Sequence, residues 1–113
     1  MKIPIVIENS TIPRLLSVFI SIGAITLWPF VISRNKLNSQ LLNHETIHIK
    51  QQQELLIIGF YLLYVLYWLK GLWIYKDFKI AYYSIPFEEE AYEHEDDMEY
   101  LKTRKKFAWW KYR

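Results

Sequence analysis

Cysteine is absent from the chain. The protein therefore has no disulfide, no thiolate metal site and no cysteine nucleophile, and any bound metal must be held by histidines and carboxylates. Net charge is also small, with a formal charge of +2 at pH 7 and a pI of about 8.8. The basic residues are concentrated near the C-terminus and form no stripe through the chain, so we expect no nucleic acid as a partner.

Internal repeats and low-complexity linkers are lacking as well. A chain of 113 residues has room for one modest hydrophobic core, so we expect a single domain over residues 1–113. Aromatic residues make up 18% of the chain and apolar residues 52%. Both fractions are high for a small soluble domain and indicate a surface that meets lipid or another protein. The oligomeric state stays open.

The most informative feature present is the string His44-Glu45-Thr46-Ile47-His48. Two histidines four residues apart on a helix point the same way and can bind one metal ion. The intervening Glu45 then stands where a zinc-bound water can be deprotonated. The alternative interpretation is a helix that carries two histidines and no metal.

The motif belongs to a helical pattern that starts near Ser39, with Asn38 or Ser39 as its N-cap. No proline interrupts the pattern before Lys70, so we expect the motif helix to continue into the following apolar segment. Gly59 is the predicted position of a bend and Gly71 the predicted stop.

A second helix is predicted to start at Pro86, since proline suits the first turn of a helix. Acidic residues follow it directly and basic residues come later, which matches the dipole of one helix that ends near Lys106. The segment before it, residues 76–84, is predicted to be a connection.

A hydrolytic zinc site needs three protein ligands, and the motif supplies two. The metzincin pattern is excluded because Glu54 occupies the position of its third histidine. The downstream helix offers Glu88, Glu89 and Glu90, which point in different directions. We favour Glu88 because Ala91, three residues later, puts a small side chain on the same face and allows close approach to the motif helix.

Other residues are candidates for supporting roles. The alternative metal ligands are His94 and Glu95. The candidates to stabilise an oxyanion are Tyr82, Tyr83, Tyr92 and His94. The candidates to hold the motif histidines by hydrogen bonds are Asn43, Gln51 and Gln52. A strand from Ile25 to Ile32 is the candidate to pair with an extended substrate.

Two segments carry no charge, Leu15 to Ser33 and Leu55 to Leu69. The first is either a membrane span or, near its end, a strand. A span in the second would separate the motif from its downstream ligand, so we expect a helix that is buried on most sides or lies in a membrane interface. Its aromatic residues share one face and predict a packing stripe: Phe60, Tyr61, Tyr64, Tyr67 and Trp68. The protein is thus predicted to be membrane-associated, either peripherally or by one N-terminal span.

The motif and the later segment from Glu88 to Tyr92 resemble the gluzincin-type zinc metallopeptidases, in which a downstream Glu-x-x-Ala element supplies the third ligand. The chain is similar in particular to small bacterial domains whose motif is followed by a Gln-Gln pair, here Gln51 and Gln52. The resemblance covers about 50 residues, up to Glu95.

This resemblance implies a Zn²⁺ ion on His44, His48 and Glu88, with Glu45 as general base in the hydrolysis of a peptide or protein substrate. Membrane-linked gluzincins usually have aspartate after the alanine of the element, where this chain has Tyr92. The function of that aspartate is therefore absent or altered here.

Taken together, the patterns predict a mainly helical α+β fold. A long motif-bearing helix packs against a C-terminal helix that carries Glu88, and a short β element, including a strand at Ile3 to Ile7, lies near the N-terminus. Two other functions stay open: a structural zinc-binding domain without turnover, and a membrane-surface interaction module without metal.

Overall fold

The computed structural model describes residues 4–9, 24–33, 36 and 38–113. These residues form a mainly helical fold with a small β-sheet beside the motif helix. The strands are β1 (Ile5–Ile7), β2 (Ala24–Leu27) and β3 (Phe30–Ser33). The helices are α1 (Ser39–Glu54), α2 (Ile58–Tyr75), α3 (Phe78–Tyr83), α4 (Pro86–His94) and α5 (Tyr100–Thr103), followed by a 3-10 helix at Ala108–Tyr112.

The sheet has the strand order β1-β3-β2, with β1 parallel and β2 antiparallel to β3. The strand predicted at Ile3 to Ile7 is confirmed over Ile5–Ile7 as β1, and Ile3 lies outside the described residues. A single strand from Ile25 to Ile32 is wrong, because Trp28 and Pro29 form the turn of a β2–β3 hairpin and are joined by a cis peptide bond. Proline has no N–H for a strand ladder and is readily placed in such a turn. The first part of the uncharged segment, residues 15–23, lies outside the described residues.

Helix α1 begins where the sequence predicts, because the Oδ1 atom of Asn38 accepts a hydrogen bond from the amide of Leu41 at 2.7 Å. Polar side chains occupy much of its buried face: Asn43, His44, Glu45, His48, Gln51 and Gln52. Buried polar groups persist where partners satisfy them, so this face is not a purely apolar core.

Helices α1 and α2 are separate, so the predicted continuous helix with a bend at Gly59 is wrong. The chain turns at Leu56 and Ile57, whose φ angles are 56° and 68°. The amide of Ile58 donates to the carbonyl of Leu56 at 2.7 Å and closes a γ-turn around Ile57. This conformation is strained for a β-branched residue, and local sequence preference disfavours it.

Helix α2 continues through Gly71 to Tyr75, so the predicted stop at Gly71 is wrong. The glycine serves close packing instead: a Cβ atom there would lie 2.9 Å from the Cα of Ala81 and 2.9 Å from the Oγ of Ser84. The predicted connection over residues 76–84 contains the short helix α3, whose N-cap is Asp77.

Replacing Gly71 with alanine is expected to destabilise the fold by about 1–3 kcal/mol, because the added methyl group overpacks the contact with α3. Gly59→Ala is the matched control, since a Cβ atom there meets Leu55 at an ordinary 3.5 Å. Alanine at position 59 should stabilise the helix by about 0.4–1 kcal/mol. Urea unfolding of both variants measures the opposite signs, and equal effects would contradict this packing.

The two faces of α2 have different environments. The predicted aromatic stripe is confirmed: its members lie in or against a core of Phe60, Ile85, Phe87 and Trp109. The opposite face is exposed, so the expectation of burial on most sides is wrong. Within the described part of the chain, α2 is the helix whose length and composition would suffice to cross a membrane.

Helix α4 starts at Pro86 as predicted but ends at His94, well before Lys106. The Nδ2 atom of Asn43 caps this end by donating to three carbonyl oxygens at 2.9–3.1 Å, those of His94, Glu95 and Asp97. After α4 the chain folds back, and Trp109 packs against Phe87 of α4 with ring centroids 4.8 Å apart. The acidic-to-basic gradient therefore extends over several short elements.

Candidate metal centre

The side chains of His44, His48 and Glu88 converge between α1 and α4. The Oε1 atom of Glu88 lies 3.1 Å from the Nε2 of His44 and 3.0 Å from the Nε2 of His48. The two Nε2 atoms are 3.2 Å apart. All three residues are buried, with at most 4% of their surface exposed. The fold thus brings together the three residues that the sequence indicates as ligands.

The donor set and its spacing fit a zinc ion. Two imidazoles and one carboxylate are a set found in hydrolytic zinc sites, and donors about 2.1 Å from a tetrahedral zinc lie about 3.4 Å from one another. The three observed separations of 3.0–3.2 Å are close to that value. Three ligands also leave a fourth position for water or substrate.

The charges of the three side chains depend on one another. Burial alone would lower the pKa of His48, but the Glu88 carboxylate raises it to about 9. Burial would likewise raise the pKa of Glu88, but His48 and His44 hold it well below its usual range. Without a cation, the carboxylate is thus balanced by a protonated imidazole, and a bound metal ion would take over this role.

Glu45 lies apart from the three converging atoms and is 5% exposed. Its Oε2 atom accepts a hydrogen bond from the Thr26 hydroxyl, so α1 holds it between the histidines and strand β2. Its negative charge also contributes to the raised pKa of His48, which places it near the cluster. This is the arrangement that a general base beside a metal requires.

Gln51 supports His48 from one turn further along α1. Its Oε1 atom lies 2.7 Å from the Nδ1 of His48, so the Nε2 atom of the same ring is directed towards Glu88. The Nε2 atom of Gln51 donates to the carbonyl of Phe87 at 3.0 Å and to the Oε1 of Glu90 at 2.9 Å. Both polar atoms of the Gln51 side chain are therefore held in place, as expected for a group that orients a metal-binding histidine.

Tyr64 also contributes to the cluster, although the sequence pattern predicts it only as a member of the packing stripe. Its hydroxyl donates to the Oε2 of Glu88 at 2.5 Å, which leaves Oε1 for the histidines. Burial, together with the Glu88 charge, raises the pKa of Tyr64 well above its ordinary value, so the hydroxyl stays protonated. No local pattern identifies it, because its role arises only when α2 folds back against α4.

The other side of His44 faces Glu95 and Tyr92. The Oε2 atom of Glu95 lies 3.3 Å from the Nδ1 of His44, which is within the distance of an ion pair. Glu95 therefore lies next to a candidate ligand and not among the three residues that converge. The Tyr92 ring meets the His44 ring edge-on at 4.4 Å, and its hydroxyl is 2.9 Å from that of Tyr82.

Several other candidates lie elsewhere. His94 stacks on Tyr100 with ring centroids 3.7 Å apart and is not brought to the cluster. Glu90 is fully buried but contacts Arg104, and Glu89 is partly exposed on a different side of α4. Asn43, as described above, caps α4 and does not touch either imidazole directly.

Gln52 joins α1 to the hairpin. Its Nε2 atom donates to the carbonyl of Thr26 at 3.1 Å, and its Oε1 accepts from the amide of Trp28 at 2.9 Å. The Tyr61 hydroxyl also donates to the carbonyl of Thr26, at 3.3 Å. These contacts hold β2 alongside the motif helix, the position in which a strand can guide a substrate towards the cluster.

Comparison with protein-family models, with curated proteins and with solved structures gives no match.

Proposed function

We propose that this protein is a zinc-dependent metallopeptidase that hydrolyses peptide bonds. The observation that carries the proposal is the convergence of His44, His48 and Glu88 within 3.2 Å of one another, with Glu45 beside them and outside the ligand set. A purely structural ion pair has no need of a separate buried carboxylate at the position where a base is required.

His44, His48 and Glu88 would hold a zinc ion, which would supply a Lewis acid for the attacking water and for the scissile carbonyl. Glu45 would accept a proton from the attacking water and deliver it to the leaving amine. Thr26 holds the Glu45 carboxylate in place through its hydroxyl. Among the predicted oxyanion donors we favour Tyr92, because its ring touches His44. The pKa of Tyr92 is raised, mainly by burial, so its hydroxyl remains a hydrogen-bond donor.

Strand β2 is the proposed guide for an extended substrate. Gln52 already occupies the carbonyl of Thr26 and the amide of Trp28, so a substrate backbone would pair with β2 further towards Ala24. Main-chain pairing gives affinity with little side-chain selectivity. The substrate class that follows is an extended, unfolded peptide segment.

The zinc site is tested by Glu88→Ala with Glu89→Ala as its matched control, since the two glutamates are neighbours on α4 and only Glu88 faces the histidines. Wild type and Glu89→Ala should carry near one equivalent of zinc when purified without added metal. Glu88→Ala should bind zinc at least about a hundredfold more weakly, because even a supporting contact is worth ten- to a hundredfold.

Elemental analysis and zinc titration measure this difference, and circular dichroism checks that both variants are folded. Zinc should raise the melting temperature of wild type and of Glu89→Ala but not of Glu88→Ala, because binding to the native state stabilises it. Equal zinc content in the two variants would contradict the ligand assignment, and a wild type free of zinc would contradict the metal itself.

A structural zinc domain is the second candidate. The three ligands join α1 to α4, two elements that also meet through Gln51 and Asn43, so a metal there would hold the fold together. This candidate predicts zinc without hydrolysis. A structural zinc domain does not explain why Glu45 is buried beside the cluster but binds none of the three residues.

We also propose that the protein is associated with a membrane. The exposed apolar side of α2 supports a peripheral association, and an N-terminal span remains the alternative from the sequence. Either arrangement would keep the proposed peptidase close to substrates at a membrane surface.

A further inference from the structure

The side of α2 that points away from the metal centre is a continuous apolar surface. Six of its residues recur at spacings of one, three and four and are each at least half exposed: Ile58, Leu62, Val65, Leu66, Leu69 and Trp73. We refer to these six as the α2 outer face. On a helix this spacing gives one stripe, about 22 Å long from its first to its last residue.

The opposite side of α2 is already occupied. Tyr64 donates to Glu88 of the metal centre, Phe60 lies in the core, and Gly71 touches α3. A helix that is apolar all round is normally covered all round, and the described part of the chain leaves the α2 outer face exposed.

The charges around this stripe select its partner. The sequence has no acidic residue between Glu54 and Asp77. At the C-terminal end of α2 and just beyond it, three exposed lysines outnumber the exposed Asp77: Lys70, Lys76 and Lys79. The Nζ atom of Lys76 also lies 5.5 Å from the centre of the Trp73 ring. Lysines beside an exposed tryptophan suit an interface that offers both acyl chains and anionic headgroups.

We propose that the α2 outer face seats the protein on an anionic lipid bilayer, with α2 parallel to the membrane plane. A span is disfavoured because Tyr64, near the middle of α2, is bound to Glu88, so crossing the bilayer would carry the buried charged cluster into hydrocarbon. Lying flat, the helix buries one face to the depth typical of interfacial helices and keeps its contacts with α3 and α4.

When α2 lies flat on the bilayer, the candidate metal centre is on the side of α2 that faces away from the lipid. This inference deepens the proposed membrane association, and it implies that the substrate segment is presented at the bilayer surface and not within it. It depends on the outer face and not on turnover, so vesicle binding by a Glu45→Gln variant, which is expected to lose hydrolysis, tests it separately from the proposed peptidase activity.

Flotation with phosphatidylcholine vesicles, with and without 30% phosphatidylglycerol, is the first experiment. Wild type should float with the anionic vesicles, and the double variant Leu62→Glu/Leu69→Glu should not. Met98→Glu is the matched control, since Met98 is an equally exposed apolar residue outside α2. Replacing the three lysines with glutamine should weaken binding to anionic vesicles by about a hundredfold, at roughly tenfold or less for each charge.

Because the chain has no cysteine, a single introduced cysteine gives one labelling site. A polarity-sensitive dye on Leu66→Cys should shift to the blue when anionic vesicles are added, and the same dye on Met98→Cys should not. Absence of flotation by wild type, or undiminished flotation of the double glutamate variant, would overturn the proposal.

Two further outcomes would also overturn it. Retention on the vesicles after an alkaline carbonate wash would indicate a span. A dimer in sedimentation analysis that the double variant abolishes, without vesicle binding by wild type, would assign the α2 outer face to a second copy of the chain.

Discussion

Replacing Glu45 with glutamine is expected to lower peptide hydrolysis by about two to four orders of magnitude while zinc remains bound. Glutamine has the same shape as glutamate, and its carbonyl oxygen still accepts the hydrogen bond from Thr26, so the fold and the three ligands should be undisturbed. What is lost is the group that accepts a proton. An internally quenched peptide library provides the rate, and elemental analysis provides the zinc content.

The control for this experiment is Glu89→Gln, which makes the same change of charge on a carboxylate that does not contact the cluster. It should keep both zinc and hydrolysis. Two results would count against the assignment. Unchanged hydrolysis by Glu45→Gln would remove Glu45 from the mechanism, and zinc without hydrolysis by wild type would favour the structural candidate.

The core of the site follows from sequence because short-range rules fix it. The spacing of His44 and His48 requires only that α1 be helical, and Asn38 marks where that helix starts. Pro86 marks the start of α4, which puts Glu88 in its first turn and Ala91 on the buried side. These local signals suffice to nominate the three ligands, and the structure brings the nominated atoms together.

Gln51 could also be named as a candidate support from the sequence, but the contact of Tyr64 with Glu88 could not be predicted in the same way. The turn at Leu56 and Ile57 uses positive φ angles that local preference disfavours, and tertiary packing of α2 overrides that preference. Because this turn reverses the chain, it also brings Tyr64 to Glu88. A contact that depends on an unpredictable turn is itself unpredictable, whichever residue makes it.

The early end of α4 has a similar explanation. The acidic-to-basic gradient matches the dipole of one helix that ends near Lys106. Asn43 of α1, however, caps α4 after His94 with three hydrogen bonds. The partner lies about fifty residues away in the sequence, beyond the reach of any helix-end rule. Arg104 is then free to turn back towards the buried faces of α1 and α4.

Replacing Arg104 with methionine is expected to destabilise the protein by about 3–5 kcal/mol, the cost of leaving buried carboxylates without their cation. The Arg104 guanidinium donates to both oxygens of Glu54 at 2.7 and 3.1 Å and to both oxygens of Glu90 at 2.5 and 3.0 Å. Its side chain is only 4% exposed. Urea unfolding measures the loss, with Lys102→Met as the control.

Lys102 forms an ion pair of 2.7 Å with Glu99, but both side chains are more than 70% exposed, so its replacement should change stability by less than about 1 kcal/mol. Removing both carboxylate charges by adding Glu54→Gln and Glu90→Gln to Arg104→Met should recover part of the loss, because no unpaired charge is then buried. Equal effects of Arg104→Met and Lys102→Met would show that the buried network contributes no more than an exposed pair.

The effect of Arg104→Met should also reach the candidate metal centre. Glu90 accepts from Gln51 at 2.9 Å, and Gln51 in turn holds the Nδ1 of His48 at 2.7 Å. When Arg104 is lost, Glu90 must reorganise or take up a proton, and the orientation of the His48 ring loses a fixed support. We therefore expect Arg104→Met, measured while still folded, to bind zinc about tenfold more weakly than wild type. Unchanged zinc affinity would confine the network to stability alone.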